Sequence, residues 1–206
     1  MGADNIFRVS HRCDPVPKVP MFPFRHVPVD GTDYRVANGN NTLLSINAHL
    51  MPSYIAGVGG MEWPALAALT LPGEGEAAVA NWIHMAGSGS SSILMGSAIA
   101  LDMIARALNA ILRRASALSG WALGLDFADN VTLADRISMI LFRGGELSAQ
   151  LLEEVGSLTT AIFLFLGRTV VQGANITRDF LAWVLGLLFQ FLQSMAVQAV
   201  MAITRR

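Results

Sequence analysis

Apolar and polar positions along this chain change rhythm twice. Residues 6–11 alternate, with β-branched and aromatic side chains, and predict a strand. Residues 24–29 predict a second short strand. Asp30-Gly31 then forms a turn that brings Tyr34-Arg35-Val36 back antiparallel to it. The run Asn38-Gly39-Asn40-Asn41 is another turn. Ser45 or Asn47 is positioned to start a short helix carrying His49, Leu50, Tyr54 and Ile55. The rhythm then weakens. Residues 76–85 predict a short helix with Trp82 on its apolar side, and the Gly/Ser tract 87–92 reads as a hinge.

Beyond residue 93 the period is helical. Asp102, Arg106, Asn109 and Arg113 form one polar stripe, with Ile99, Met103, Leu108 and Ile111 on the remaining surface. Gly120 is a stop. Thr132-x-x-Asp135 starts a second helix, which Gly144-Gly145 interrupts. A third runs over 146–168 with a break expected near Gly156, and Asn175 or Thr177 begins the last. Within that last helix, residues 180–203 carry no charge and lie between Arg178-Asp179 and Arg205-Arg206. A span of that length crosses a bilayer, which needs about 20 residues. Gly186, Gln190, Gln193, Ser194 and Gln198 nevertheless share one face. The stretch therefore has two readings: a membrane-associated or oligomer-forming helix, or the buried helix of a soluble bundle.

Composition sharpens this division. Five of the eight prolines lie between Pro15 and Pro28 and none follows Pro72. We accordingly divide the chain into 1–60 (strands and a short helix), 61–91 (a Gly/Pro/Ser-rich connection) and 92–206 (hydrophobic helices). The chain is 53% hydrophobic and 14% charged, against about 25% charged in typical domains. That deficit fits a very buried chain, one touching membrane, or one whose apolar faces expect a partner. The net charge of −1 and the lack of a basic patch argue against nucleic-acid binding. No G-x-G-x-x-G or phosphate-loop motif is present, and no cofactor is expected. Cys13, the sole cysteine, excludes an intrachain disulfide. The first ten residues lack the apolar core of a signal peptide.

The candidate chemistry lies in the proline-rich N-terminal stretch. Asp14 follows the first strand, and Pro15 biases it toward extended backbone. His49 comes 35 residues later. A histidine can take a proton from a hydroxyl and return it to a leaving group, and a buried carboxylate can fix its tautomer. On residue types alone, the same two positions also fit a turn cap and a helix cap. A metal site from His11, His26 and Asp14 lacks supporting pattern, and none is expected. Cys13 shares the loop of Asp14 and is set aside as a nucleophile.

The run Asp14-Pro15-Val16-Pro17 with Pro20, then Phe24-x-His26-Val27, then His49-x-x-x-x-Tyr54, resembles the C-terminal third of class 3 (fungal-type) lipases, serine esterases of the α/β-hydrolase fold. The resemblance covers about residues 4–58. It implies that Asp14 is the triad acid and His49 the triad base, with His26, Pro15, Pro17 and Tyr54 structural residues around them. The family's G-x-S-x-G nucleophile precedes the aspartate and is absent here. Ser88 and Ser90 lie after His49 and outside that frame. The expected fold is thus a C-terminal fragment of an α/β hydrolase joined to a mostly α-helical region, with the serine and oxyanion donors upstream of Met1. The expected activity is hydrolysis of an acyl ester or lipid, once completed by that segment. The alternative is a non-catalytic helical module that contacts membrane or a second copy through 180–203, behind a decayed hydrolase segment.

Overall fold

The computed structural model describes residues 8–19, 33–37, 43–69, 76–88, 95–119, 133–142, 148–169 and 175–204. They are mostly helical. Two strands, β1 (Arg8–His11) and β2 (Asp33–Val36), are followed by seven helices. These are α1 (Met51–Val58), α2 (Trp63–Ala67), α3 (Glu76–Gly87), α4 (Ala98–Ser119), α5 (Leu133–Leu141), α6 (Ala149–Phe165) and α7 (Arg178–Thr204). The expected strand at 24–29, with His26, lies outside the described residues. So do the turns at 30–31 and 38–41, and Gly120, Thr132 and Gly144-Gly145.

The chain folds into two compact units. The first takes in the described residues of Met1–Pro72, Ser97–Ile99 and Phe191–Arg206, and the second those of Gly73–Gly96 and Ala100–Gln190. This grouping cuts through the 92–206 helical segment, because the end of α7 belongs to the first unit.

In the first unit, β1 and β2 pair in parallel, with Arg8 opposite Asp33, Val9 opposite Tyr34, Ser10 opposite Arg35 and His11 opposite Val36. The sequence suggested an antiparallel return for 34–36 onto 24–29. That pairing lies outside the described residues; the pairing found, of β2 with β1, is parallel, which a tight turn cannot connect and a long crossover can. The chain leaves β1 by a turn at Arg12-Cys13 and a short 3₁₀ turn, Val16–Lys18. Helices α1 and α2 both pack on one face of this pair. His11 stacks edge-on against Tyr54 of α1 at 5.9 Å, and Tyr34 tilts against Trp63 of α2 at 5.3 Å. The register and the two-residue alternation place His11 and Tyr34 on the same side of the sheet.

The second unit is all helical. On α4, Leu101, Ile104, Leu108, Ile111 and Leu112 are buried, while Asn109 and Arg113 are exposed. This fits an amphipathic helix. On α6, Leu151, Val155, Leu158, Ile162 and Phe165 are buried. Ser148 caps α6, its Oγ accepting from the Leu151 N–H at 3.3 Å. The expected break at Gly156 does not occur: α6 runs on to Phe165. A helical glycine costs only about 1 kcal/mol against alanine, and here its missing Cβ makes room. A Cβ at Gly156 would lie 2.9 Å from Ile176 Cδ1. The approach of α3 to α6 is closer still, since a Cβ at Gly87 would run into Ser157 Oγ and lie 2.8 Å from Ser157 Cβ. Arg114 and Glu154 join α4 to α6 through a two-point ion pair, each N···O distance being 2.6 Å.

Thr177 starts α7, its Oγ1 accepting from the Phe180 N–H at 3.2 Å. Among the described residues, α7 is the one helix long and apolar enough to cross a membrane by length and composition. Leu181, Val184, Leu185, Leu188, Leu192 and Ala199 form its buried stripe. Gln190, Gln193, Ser194 and Gln198 are exposed with Trp183, Val197 and Met201.

Candidate acid–base site

The backbone around Asp14 is held from both sides. The Arg12 N–H donates to Val36 O at 2.8 Å, which extends the sheet past β1. The Ser45 N–H donates to Cys13 O at 2.8 Å, which ties the loop to the segment leading to His49. The Asp14 N–H closes a turn onto His11 O at 3.0 Å. Pro15 is buried and begins the 3₁₀ turn that contains Pro17, closed by the Lys18 N–H on Pro15 O at 3.1 Å. Fixed proline torsions suit such a turn. They leave the Val16 N–H aimed at Asp14 Oδ1, 2.9 Å away, an aspartate accepting from the backbone two residues on.

His49 sits at the end of a 3₁₀ turn, Ile46–His49, rather than at the start of a helix as the sequence suggested. Pro52 explains the shift. It occupies the first turn of α1, where its missing N–H is harmless, and α1 therefore begins at Met51 after an extended Leu50. Ser45 and Asn47 were both candidates for starting the helix. Ser45 takes the cap position of the 3₁₀ turn without a side-chain hydrogen bond, and Asn47 contributes its carbonyl to Leu50 N–H and Ser53 Oγ.

These two backbone arrangements bring His49 Nδ1 to 2.9 Å from Asp14 Oδ2. The Asp14 side chain is fully buried and that of His49 is 20% exposed. An ionised carboxylate only accepts, so the pair requires the proton on Nδ1 and leaves Nε2 as the basic nitrogen. Among the described residues, the His49 side chain has no hydrogen-bond partner other than Asp14. The Tyr54 hydroxyl donates to the same Oδ2 at 2.6 Å. Asp14 thus receives three hydrogen bonds, from Val16, His49 and Tyr54, which is how a buried charge is kept satisfied.

The residue pattern pointed to Tyr54 as a structural neighbour. The structure adds that its hydroxyl and His49 share one carboxylate oxygen. Sequence reasoning missed the role of His11, which it treated as a strand residue and weak metal candidate. His11 is buried against the Tyr54 ring, and its Nδ1 accepts from the Cys13 N–H at 3.2 Å. The two-residue alternation of β1 is the signal that would have turned it toward α1. Cys13 is buried. Ser88 lies in the other compact unit, at the end of α3, and donates to Met85 O at 3.0 Å. Ser90 lies outside the described residues.

Burial, reinforced by the Asp14 carboxylate, pushes the Tyr54 hydroxyl well above the ordinary tyrosine value. Tyr54 therefore stays protonated in the fold at a pH where the unfolded chain has begun to lose that proton. Its contribution to stability is complete below about pH 10, the unfolded value, and declines as pH rises above it. Tyr54→Phe is expected to lower stability by about 1–2 kcal/mol by removing one hydrogen bond to a charged acceptor. It is also expected to remove the late-titrating component of the tyrosinate absorbance, which a spectrophotometric titration of both proteins will read.

No family model, curated protein or solved structure matches this chain. The resemblance to class 3 lipases accordingly rests on the residues quoted above.

Proposed function

We propose that the first compact unit carries the acid and base of a Ser-His-Asp centre for acyl ester hydrolysis, on a C-terminal piece of an α/β-hydrolase-type domain. The nucleophile comes from outside these 206 residues. The observation that supports this most is the Asp14–His49 bond through Nδ1. It is the one imidazole arrangement that keeps Nε2 available to a hydroxyl. In the reaction, Nε2 accepts the serine proton as Oγ attacks the ester carbonyl. The imidazolium, stabilised by Asp14, then returns that proton to the departing alcohol. Water enters by the same route in reverse and releases the acid. Asp14 stays ionised throughout.

The test is to read the frame upstream of Met1 for a strand–G-x-S-x-G–helix segment and to assay the chain together with it on a short-chain ester. His49→Ala is expected to lower kcat by at least about a thousandfold. Hydrolysis that survives His49→Ala rejects the base assignment.

One observation favours the non-catalytic reading beside this one: only 28% of the most apolar stretch of α7 is buried inside the protein. On that reading α7 holds the chain at a membrane or to a second copy. The chain would then resist alkaline carbonate extraction, or migrate as an oligomer in chromatography.

A further inference from the structure

Residues 12–14 carry the chain from the end of β1 to the Asp14 carboxylate, and each of their N–H groups is held. The Arg12 N–H continues the sheet to Val36 O at 2.8 Å, and the Asp14 N–H closes on His11 O at 3.0 Å. The N–H between them, of Cys13, is met by a side chain: His11 Nδ1 lies 3.2 Å away. His11, Cys13 and Asp14 are 2%, 0% and 0% exposed, so water has little access to replace any of these bonds. The same imidazole touches the second support of Asp14. Its edge lies against the Tyr54 ring at a centroid distance of 5.9 Å and an angle of 62°, and the Tyr54 hydroxyl donates to Asp14 Oδ2 at 2.6 Å. One side chain thus contacts both the backbone that carries Asp14 and the phenol that shares an Asp14 oxygen with His49.

The bond to Cys13 also fixes the state of His11. A ring nitrogen that accepts from an N–H carries no proton, so the imidazole is neutral with its proton on Nε2. That tautomer is opposite to the one required of His49, whose Nδ1 donates to Asp14. We propose that His11 is a positioning residue for the Asp14–His49 pair, acting as a hydrogen-bond acceptor for the loop rather than as packing. What the loop needs is the lone pair on Nδ1. An asparagine supplies an equivalent one, since its carboxamide oxygen accepts from the N–H two residues on. Asp14 makes the same kind of bond to Val16 in this loop, at 2.9 Å. A phenylalanine has no such lone pair, although it fills the volume and keeps an aromatic edge on Tyr54. It leaves the Cys13 N–H without the acceptor it faces, a cost that the loop lessens by moving. Asp14 moves with that loop, away from His49 Nδ1.

The experiment compares His11→Phe and His11→Asn with the parent full chain by nitrogen-15 NMR, reading the tautomers of both histidines. In the parent, His11 is expected to carry its proton on Nε2, and neutral His49 on Nδ1. In His11→Phe the ratio of Nδ1–H to Nε2–H forms at His49 is expected to fall about tenfold, the effect of losing one hydrogen bond. In His11→Asn that ratio is expected to stay near the parent value. A packing role alone gives the reverse order, because asparagine empties more of the site than phenylalanine does. Three results each overturn the proposal: a parent His11 with its proton on Nδ1, an unchanged His49 in His11→Phe, or a His49 in His11→Asn that has lost its Nδ1–H preference. The parent and His11→Asn decide the question even where His11→Phe does not fold. The tautomers follow from geometry alone, whereas their bearing on catalysis rests on the acid–base reading. In the chain completed upstream, His11→Phe is expected to lower kcat about a hundredfold, the effect of displacing a catalytic group by about 1 Å. Hydrolysis that survives His49→Ala while the tautomers respond in the expected order rejects the acid–base reading and leaves the positioning role of His11 intact.

Discussion

Asp14→Ala is expected to lower the unfolding free energy by about 3–5 kcal/mol, read as a shift of the urea midpoint at unchanged slope. The size follows from what depends on this one carboxylate. Its two oxygens accept from the Val16 N–H, the Tyr54 hydroxyl and His49 Nδ1, and the side chain is fully buried. Removing it leaves those part-buried donors without the acceptor they face, and a donor left unsatisfied on burial costs more than the net value of the bond it lost. The loss extends beyond the site. The Asp14 loop lies between β2, through Arg12 and Val36, and the segment before His49, through Cys13 and Ser45. Tyr54→Phe removes only one of the three bonds, so its smaller expected effect provides the internal scale.

Asp14→Asn is expected to act differently: a modest loss of stability and a large loss of function. The carboxamide keeps the shape and one acceptor oxygen, which can remain with Val16. The other terminal atom then becomes an NH₂ that donates. Facing His49, it requires Nδ1 to accept, moves the imidazole proton to Nε2 and removes the basic nitrogen from the side where a hydroxyl would enter. In the completed enzyme the expected fall in kcat is about 10⁴-fold, the magnitude that such a tautomer error produces in serine proteases. Asp14→Asn therefore separates the two roles of the residue, structural anchor and tautomer lock. A variant that is stable yet inactive is the expected outcome, checked by measuring the urea midpoint and kcat on the same preparation.

The parts of this molecule that could be read from sequence are those with short-range causes. Asp14 was legible because Pro15 and Pro17 mark a rigid turn after an alternating strand. Tyr54 was legible because it follows His49 at a spacing that shares a family pattern. The placement of His49 was legible only in part. Pro52 sets where α1 starts, and its weight over the capping choices at Ser45 and Asn47 becomes clear only once Leu50 is seen to be extended. The parallel pairing of β1 with β2 was not legible, because it depends on a crossover rather than on a local turn. The continuity of α6 through Gly156 was missed for a related reason. The fit of Ile176 against that glycine is a tertiary contact that no local propensity encodes. The division of α7 between two compact units is likewise invisible to periodicity, since one uninterrupted helix carries a single buried stripe along its length.

The resemblance to a hydrolase and the geometry at Asp14 are independent lines of support. The first comes from the types and spacing of residues. The second comes from hydrogen bonds formed by residues 35 and 40 positions from Asp14. Neither supplies the serine. One property of this chain can be checked without any activity: Asp14 holds the neutral imidazole of His49 in the tautomer that bares Nε2.

The most direct measurement is the tautomer of His49 by nitrogen-15 NMR on histidine-labelled protein, assigned by its loss in His49→Ala. In its neutral form the imidazole is expected to carry its proton on Nδ1, slowed in exchange by the bond to Asp14, with Nε2 unprotonated. A proton on Nε2, or an equal mixture of tautomers unaffected by Asp14→Asn, contradicts it.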